Sequence, residues 1–104
     1  MKILHHPQIE DMQLSSVLHA LSDPVRLQII SDIAAGGEQP CNNFDVPIAK
    51  STLTHHIRTL REAGVIQVRV QGTQHIIALR SEDLNTCFPG LLAAILSVGK
   101  NTTT

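Results

Sequence analysis

The chain has 104 residues, 42% of them hydrophobic, and a formal net charge of −1. The length fits one domain, and the hydrophobic content excludes a mainly disordered chain. No apolar run approaches the ~20 residues of a membrane-spanning helix, and no apolar signal core follows Lys2, so we expect a cytoplasmic protein. The two cysteines, Cys41 and Cys87, are too few for a disulfide scaffold.

The first half of the chain predicts two helices separated by a short break. Residues 8–21 repeat apolar side chains with a period near 3.6, which is typical of an amphipathic helix. Asp23 is then a good N-cap and Pro24 a good first residue for a second helix, which should run to about Ala35 and end at Gly36-Gly37. Its expected buried side comprises Val25, Ile29, Ile30, Ile33 and Ala34.

A longer amphipathic helix follows an irregular segment. Prolines and asparagines interrupt residues 38–49, with a short helical turn expected from Cys41 to Val46. The long helix should begin between Ala49 and Ser51 and end at Gly64, with an apolar stripe on one side. Its other side carries small, polar and basic residues that suit a DNA groove, namely Lys50, Ser51, Thr52, Thr54, His55 and Arg58.

These candidates have different expected roles. Ser51, Thr54 and His55 are assigned to base edges or nearby phosphates, whereas Lys50 and Arg58 are assigned mostly to the phosphate backbone. The position of Thr52 drifts towards the buried flank of the helix. His56 is expected at the edge of the core, hydrogen-bonded, and not on the DNA side.

After Gly64 the apolar period changes to two, which predicts a β-hairpin over residues 66–80. The hairpin is either a wing that contacts DNA or merely a solvated loop. Its candidate contacts are Arg69 and the turn residues Gln71, Gly72, Thr73 and Gln74. Ser81-Glu82-Asp83 then starts a short helix, and residues 90–98 form an apolar last helix.

The predicted order is therefore ααααββα, a mainly α fold with a β-hairpin wing (α+β). Residues 1–104 form a single winged helix-turn-helix domain, with the helix-turn-helix at 38–66 and the wing at 66–80. In this fold one helix enters the major groove and the hairpin reaches the neighbouring backbone or minor groove. The apolar stripes of the first and last helices, within 8–21 and 82–98, exceed what a small monomer needs and predict a homodimer.

Charge and aromatic content favour double-stranded DNA as the partner. Residues 50–80 contain five basic side chains and only one acidic one, so the positive charge is concentrated in the predicted helix and wing. Readers of RNA and single strands stack bases on aromatic rings, but this chain has two Phe, no Trp and no Tyr.

Two segments resemble the ArsR/SmtB family of small bacterial winged-helix repressors. The segment 18–27, LHALSDPVRL, is similar to the opening signature of the family, and 50–66, KSTLTHHIRTLREAGVI, is similar to its recognition helix. The resemblance, which spans 18–80, implies a homodimer formed through the first and last helices. Such a dimer would bind an operator with dyad symmetry and repress nearby genes until an effector releases it.

The sensing residues of that family are only partly matched. Metal-responsive members carry a Cys-x-Cys pair or Asp/His ligands on the last helix, whereas this chain offers Cys41 alone and a last helix without His, so we predict no metal site and no cofactor. An intersubunit site made by His5, His6 and Cys41 is a weaker alternative. Some relatives resemble two-cysteine sensors, so a redox or sulfur switch using Cys41 and Cys87 is another alternative.

Two other classes of function compete with a DNA-binding repressor. A winged-helix module that contacts only proteins would fit the weakly acidic pI of 6.6. An enzyme is not expected, because the sequence suggests neither a nucleophile with a paired His and acid nor a phosphate-binding glycine loop.

Overall fold

The computed structural model of the protein describes residues 4–44 and 47–101, with side chains described as far as Val98. In these residues the chain forms five α-helices, which are α1 (Leu14–Ala20), α2 (Pro24–Gly36), α3 (Lys50–Ala63), α4 (Ser81–Cys87) and α5 (Leu91–Asn101). It also forms three strands, β1 (Gln39–Pro40), β2 (Ile66–Gln71) and β3 (Gln74–Leu79). None of the helices in this part of the chain has the length and apolar character required to cross a bilayer.

The amino-terminal segment is not the single helix predicted for residues 8–21. It consists of a 3₁₀ turn at Ile9–Asp11 and the shorter α1, with Met12 and Gln13 in extended conformations between them. The interruption allows the side chain of Met12 to pack against Gly64 at the end of α3. Tertiary packing at Gly64 therefore overrides the helical pattern of this segment.

Helix α2 begins as predicted and extends one residue further. Asp23 is its N-cap, because Oδ2 accepts hydrogen bonds from the amides of Val25 at 2.9 Å and Arg26 at 3.1 Å. Gly37 ends the helix with a φ of 79°. Ile29, Ile30 and Ile33 are buried as predicted and Val25 is half-buried, but the prediction for Ala34 was wrong. Residues 34–38 are all exposed, because the last turn of α2 projects beyond the core.

Helix α3 begins immediately after Ala49, which occupies the N-cap position without a side-chain hydrogen bond, so Ser51 is not the cap. It ends at Gly64, whose φ of 90° is left-handed and whose amide bonds the carbonyls of Leu60 and Arg61. Before it, the predicted helical turn is a 3₁₀ turn at Cys41–Asn43. Val46, the expected end of that turn, lies outside the described residues.

The hairpin has the predicted start and turn and ends one residue before the predicted Arg80. β2 and β3 pair antiparallel, with Ile66 opposite Leu79 and Gln71 opposite Gln74, so Gly72 and Thr73 form a two-residue tip. A third strand was not predicted: β1 pairs with β3, with Gln39 opposite Ile77, and gives the sheet order β1-β3-β2.

One hydrophobic core joins the helices to the sheet. Its largest fully buried side chains come from α1, α2, α3, α4 and the hairpin with its preceding loop, and they are Val17, Ile29, Ile30, Leu60, Val65, Ile66, Ile77 and Leu84. The predicted winged helix-turn-helix of the α+β class is confirmed. Because α3 and β2 share this core, the long helix and the wing are held in a defined relation.

Candidate nucleic-acid interface

The six polar and basic residues predicted to face DNA all lie on the open side of α3. We call this set, Lys50, Ser51, Thr52, Thr54, His55 and Arg58, the recognition face, and each member is exposed. The opposite side of the helix is buried through His56, Ile57, Leu60 and Ala63. Thr52 is exposed in the first turn of α3 and lies four residues before buried His56, on the flank expected from helical geometry.

The hydroxyl of Thr54 is already engaged by its own helix. Its Oγ1 donates a hydrogen bond to the carbonyl of Lys50 at 3.0 Å. The hydroxyl hydrogen is therefore used, and the group can offer DNA only an acceptor lone pair and a methyl group. A methyl group at this position suits the 5-methyl of thymine, and the acceptor suits the amino group of cytosine or adenine.

The wing presents a polar tip and one arginine. Gln71, Gly72, Thr73 and Gln74 are exposed at the tip, and Arg69 is exposed on β2. The guanidinium of Arg69 binds the Glu38 carboxylate, with Nη2 2.5 Å from Oε1, and also the side-chain oxygen of Gln71. Sequence reasoning missed Glu38, because only the pairing of β1 with β3 brings it to the wing.

His56 lies at the edge of the core, as predicted, and is 9% exposed. Its Nδ1 is 3.0 Å from Nη1 of Arg26, and its Nε2 is 3.9 Å from Oδ2 of Asp23. Arg26 itself is only 8% exposed, and sequence reasoning did not identify it as buried. No local pattern could have shown this, because the side-chain partner of Arg26, His56, is 30 positions away.

Asp23 belongs to the same cluster, and its environment favours the ionised carboxylate. Partial burial acts to raise the pKa of Asp23, but this effect is outweighed by the amide of Arg26, the imidazole of His56, the amide of Val25 and the guanidinium of Arg26. The pKa therefore lies below its usual value of 3.8. The carboxylate that caps α2 also lies 3.9 Å from Nε2 of His56 on α3.

The two cysteines are free thiols in different parts of the fold. Cys41 is half-buried in the 3₁₀ turn before α3, where burial raises its pKa and Lys50 acts in the opposite direction. Cys87 ends α4, with its Sγ 3.5 Å from the carbonyl oxygen of Ile9. A raised pKa keeps the Cys41 thiol protonated and weakly nucleophilic. The redox pairing of Cys41 with Cys87 stays a prediction.

The imidazole of His6 and the backbone carbonyl of His5 contact the wing and α3. His6 Nε2 accepts a hydrogen bond from the amide of Val68 at 3.0 Å, and the carbonyl of His5 accepts one from Arg61 at 2.5 Å. Burial and then the charges of Arg61 and Arg80 lower the pKa of His6. Within residues 4–44 and 47–101, no three His, Cys, Asp or Glu side chains are grouped as metal ligands.

Comparison with known sequences finds helix-turn-helix transcriptional regulators. Residues 21–69 match the family model described as a helix-turn-helix domain. The uncharacterized HTH-type transcriptional regulator YceK of Bacillus subtilis is 33% identical over 91 residues, which cover 85% of this chain and 91% of YceK. The arsenical resistance operon repressor of Staphylococcus xylosus is 31% identical over 74 residues, which cover 70% of this chain and 71% of the repressor.

Solved structures share the fold at lower sequence identity. The transcriptional repressor BigR of Xylella fastidiosa superposes with a TM-score of 0.63 at 24% identity, covering 82% of this chain and 84% of BigR. The homodimeric winged helix-turn-helix DNA-binding domain of Mb0332 from Mycobacterium bovis gives a TM-score of 0.65 at 24% identity, covering 88% of this chain and 82% of that domain. These structures share the fold, and the sequence relatives show that the chain belongs to the ArsR/SmtB family of winged helix-turn-helix proteins, which are DNA-binding transcriptional regulators and not enzymes.

Proposed function

We propose that this protein is a transcriptional repressor that binds double-stranded operator DNA as a homodimer and leaves it when an effector binds. The observation that carries the proposal is the recognition face of α3, on which all six candidate residues are exposed while the other side of the helix is buried in the core. A helix held in this way can enter a major groove without losing its packing.

The proposed contacts follow from the chemistry of the side chains. Ser51, Thr54 and His55 lie on the exposed side of the first two turns of α3, and they are assigned to base edges or adjacent phosphates. Lys50 and Arg58 supply positive charge for the backbone. The wing tip, residues 71–74, is assigned to the flanking phosphate backbone or minor groove. Arg69 can bind phosphate once its ion pair with Glu38 is broken.

Exposed apolar side chains support a dimer formed by the two ends of the chain. Ile9, Leu14 and Leu18 at the amino-terminal end and Val98 on α5 are 40–60% exposed, although all are large hydrophobic residues. A two-fold dimer would cover them, and Mb0332, which shares this fold, is a homodimer. Such a dimer would set the two α3 helices about one DNA turn, ~34 Å, apart.

Fluorescence anisotropy with a labelled duplex from upstream of the gene for this protein tests the proposal. The expected result is saturable binding whose affinity falls steeply with salt, because phosphate contacts release counterions. Arg58→Ala should weaken binding and reduce the salt dependence by about 0.9 per protomer in log–log slope. Arg61→Ala is the control for charge, since it removes the same charge from the same helix outside the recognition face; it also removes the hydrogen bond from Arg61 to the carbonyl of His5.

The same measurement separates this function from a module that contacts only proteins. A chain that binds no duplex DNA, or binds it with no dependence on salt, is not a repressor of this kind. If Arg58→Ala and Arg61→Ala bind like the unmodified protein, α3 does not meet DNA with the recognition face.

A further inference from the structure

Arg26 connects three helices through one buried side chain. It lies in the first turn of α2, and its Nε donates to the carbonyl of Ala20 at 2.7 Å while its Nη2 is 3.4 Å from the carbonyl of His19. These carbonyls belong to the last turn of α1, where helical carbonyls lack partners within their own helix. Nη1 reaches His56 on α3 at 3.0 Å. One guanidinium thus ties the end of α1 to the side of α3.

The contact specifies the protonation state of His56. A guanidinium only donates hydrogen bonds, so Nδ1 of His56 accepts and carries no proton, and the proton of the neutral ring lies on Nε2. A proton on Nδ1 would place two donors and two positive charges 3.0 Å apart. The contact with Arg26 exists only while His56 is neutral.

The other charged groups around His56 do not change this requirement. From α2, the Asp23 carboxylate lies 3.9 Å from Nε2, on the other ring nitrogen, and it cannot restore the bond that Nδ1 would lose. From α3 itself, the ring of His55 lies 5.9 Å away between centroids. The α1 groups at this cluster are the backbone carbonyls of His19 and Ala20, which bind Arg26.

This contact is well placed to control the DNA-binding end of α3. The helix has no side-chain N-cap at Ala49, and residues 49–52 are exposed. Leu53 is half-buried, and the more deeply buried apolar residues, Ile57, Leu60 and Ala63, lie further along the helix. The Arg26–His56 contact is therefore a polar attachment close to the turns that carry the recognition face.

We propose that Arg26 is a positioning residue that holds α3 in its DNA-binding orientation through neutral His56, so that acidification weakens operator binding through this histidine. The inference rests on the proposed function and adds a control to it. Its consequence is that two adjacent histidines respond to acid in opposite directions. Protonated His56 loses Arg26, whereas protonated His55 on the recognition face adds a cation beside the phosphates.

The decisive experiment measures operator affinity between pH 5.5 and 7.5 at constant ionic strength for the unmodified protein, His56→Asn and His55→Asn. The slope of log affinity against pH counts the protons released on binding. Asn at position 56 offers an acceptor oxygen to Arg26 and does not titrate in this range. We expect His56→Asn to bind normally at pH 7.5 and to lose about one released proton per protomer on the acid limb. We expect His55→Asn to steepen the acid-induced loss, because it removes the opposing effect.

Two further measurements separate positioning from a simple loss of stability. Nitrogen-detected NMR of the imidazole at pH 7.5 should report an unprotonated Nδ1 and a protonated Nε2 for His56. Arg26→Lys should bind operator roughly tenfold more weakly at pH 7.5, because an ammonium cannot reach all three partners, while dimer size and helical circular dichroism are retained.

The outcomes distinguish this inference from the proposed function. If the unmodified protein binds no duplex at any pH, the proposed function fails and this inference fails with it. If the protein binds but His56→Asn has the same pH slope, if Nδ1 is protonated at pH 7.5, or if Arg26→Lys binds normally, the inference alone is overturned.

Discussion

The ion pair between Arg69 and Glu38 predicts that removing the Glu38 carboxylate, which binds the arginine of the wing, strengthens DNA binding. In the free protein, Nη2 of Arg69 lies 2.5 Å from the Glu38 carboxylate, so phosphate must compete with Glu38 for the only arginine in the described hairpin strands. Glu38→Gln keeps the size of the side chain and removes its charge. The variant should therefore leave Arg69 free for phosphate and should reduce repulsion between the wing and DNA.

The size of the effect follows from the exposure of the pair. The two side chains are 48% and 44% exposed, and ion pairs of this kind contribute about 0.2–1 kcal/mol. Two wings in a dimer give about 0.4–2 kcal/mol, which corresponds to a roughly twofold to thirtyfold gain in affinity. The salt dependence should increase by up to about 0.9 in log–log slope per protomer, because each freed guanidinium adds one phosphate contact.

Anisotropy titrations at about 50, 100 and 200 mM salt give both the affinity and its salt dependence. Glu82→Gln is the matched control, since it removes the same charge from an exposed position on α4. Glu38 does not compete with DNA for Arg69 if Glu38→Gln binds no more tightly than Glu82→Gln, or if its gain in affinity comes with an unchanged salt slope. Arg69→Gln in the Glu38→Gln background should abolish the gain.

Three other predictions concern the dimer, the end of α3 and the amino-terminal segment. Leu18→Glu should weaken dimerisation by at least roughly tenfold, because the dimer would bury an unpaired charge. Sedimentation equilibrium measures the dimer, and the control Ala35→Glu, at an exposed position at the end of α2, should leave it intact. Gly64→Ala should lower the free energy of unfolding by about 1–3 kcal/mol, because φ is +90° and a Cβ would lie 3.0 Å from Met12 Cε. Thermal unfolding should show a smaller loss of stability for Gly72→Ala, because a Cβ at Gly72 would meet no atom within 4 Å. The hydrogen bond from the amide of Val68 to His6 requires a neutral imidazole. Burial and the charges of Arg61 and Arg80 lower the pKa of His6 below its usual value of 6.5. The stabilisation by this hydrogen bond is therefore complete above pH 6.5 and declines as the pH falls through the lowered pKa. Melting curves from pH 5 to 7.5 should become less pH-dependent in His6→Asn than in His5→Asn, and equal curves would contradict the assignment.

Local signals in the sequence were sufficient for the helices and the hairpin that carry the recognition face. Asp23 and Pro24 mark the start of α2, Gly64 marks the end of α3, and Gly72 lies at the hairpin turn. Each of these residues acts through its own backbone conformation or through hydrogen bonds to nearby amides. The expected position of His56 was also confirmed, because helical geometry alone separates it from the exposed side of α3.

The features that were missed depend on contacts between distant residues. Arg26 and His56 are 30 positions apart, and no local pattern indicates that the arginine is buried. The break at Met12 depends on Gly64, and the engagement of Arg69 depends on a two-residue strand that no periodicity can reveal. Which residues of α3 are exposed was thus predictable, whereas the long-range contacts that hold α3 and engage Arg69 were not.

The three-stranded sheet also bears on self-association of this protein. An open strand edge is a template for pairing with another chain, and here β1 and β2 are the edges. β1 has only two residues, and one of them is Pro40, which has no amide hydrogen to donate. On the edge of β2, the amide of Val68 is already bound by His6. Pairing of edge strands between two copies of the protein is therefore disfavoured, which favours association through helices and leaves the wing tip accessible.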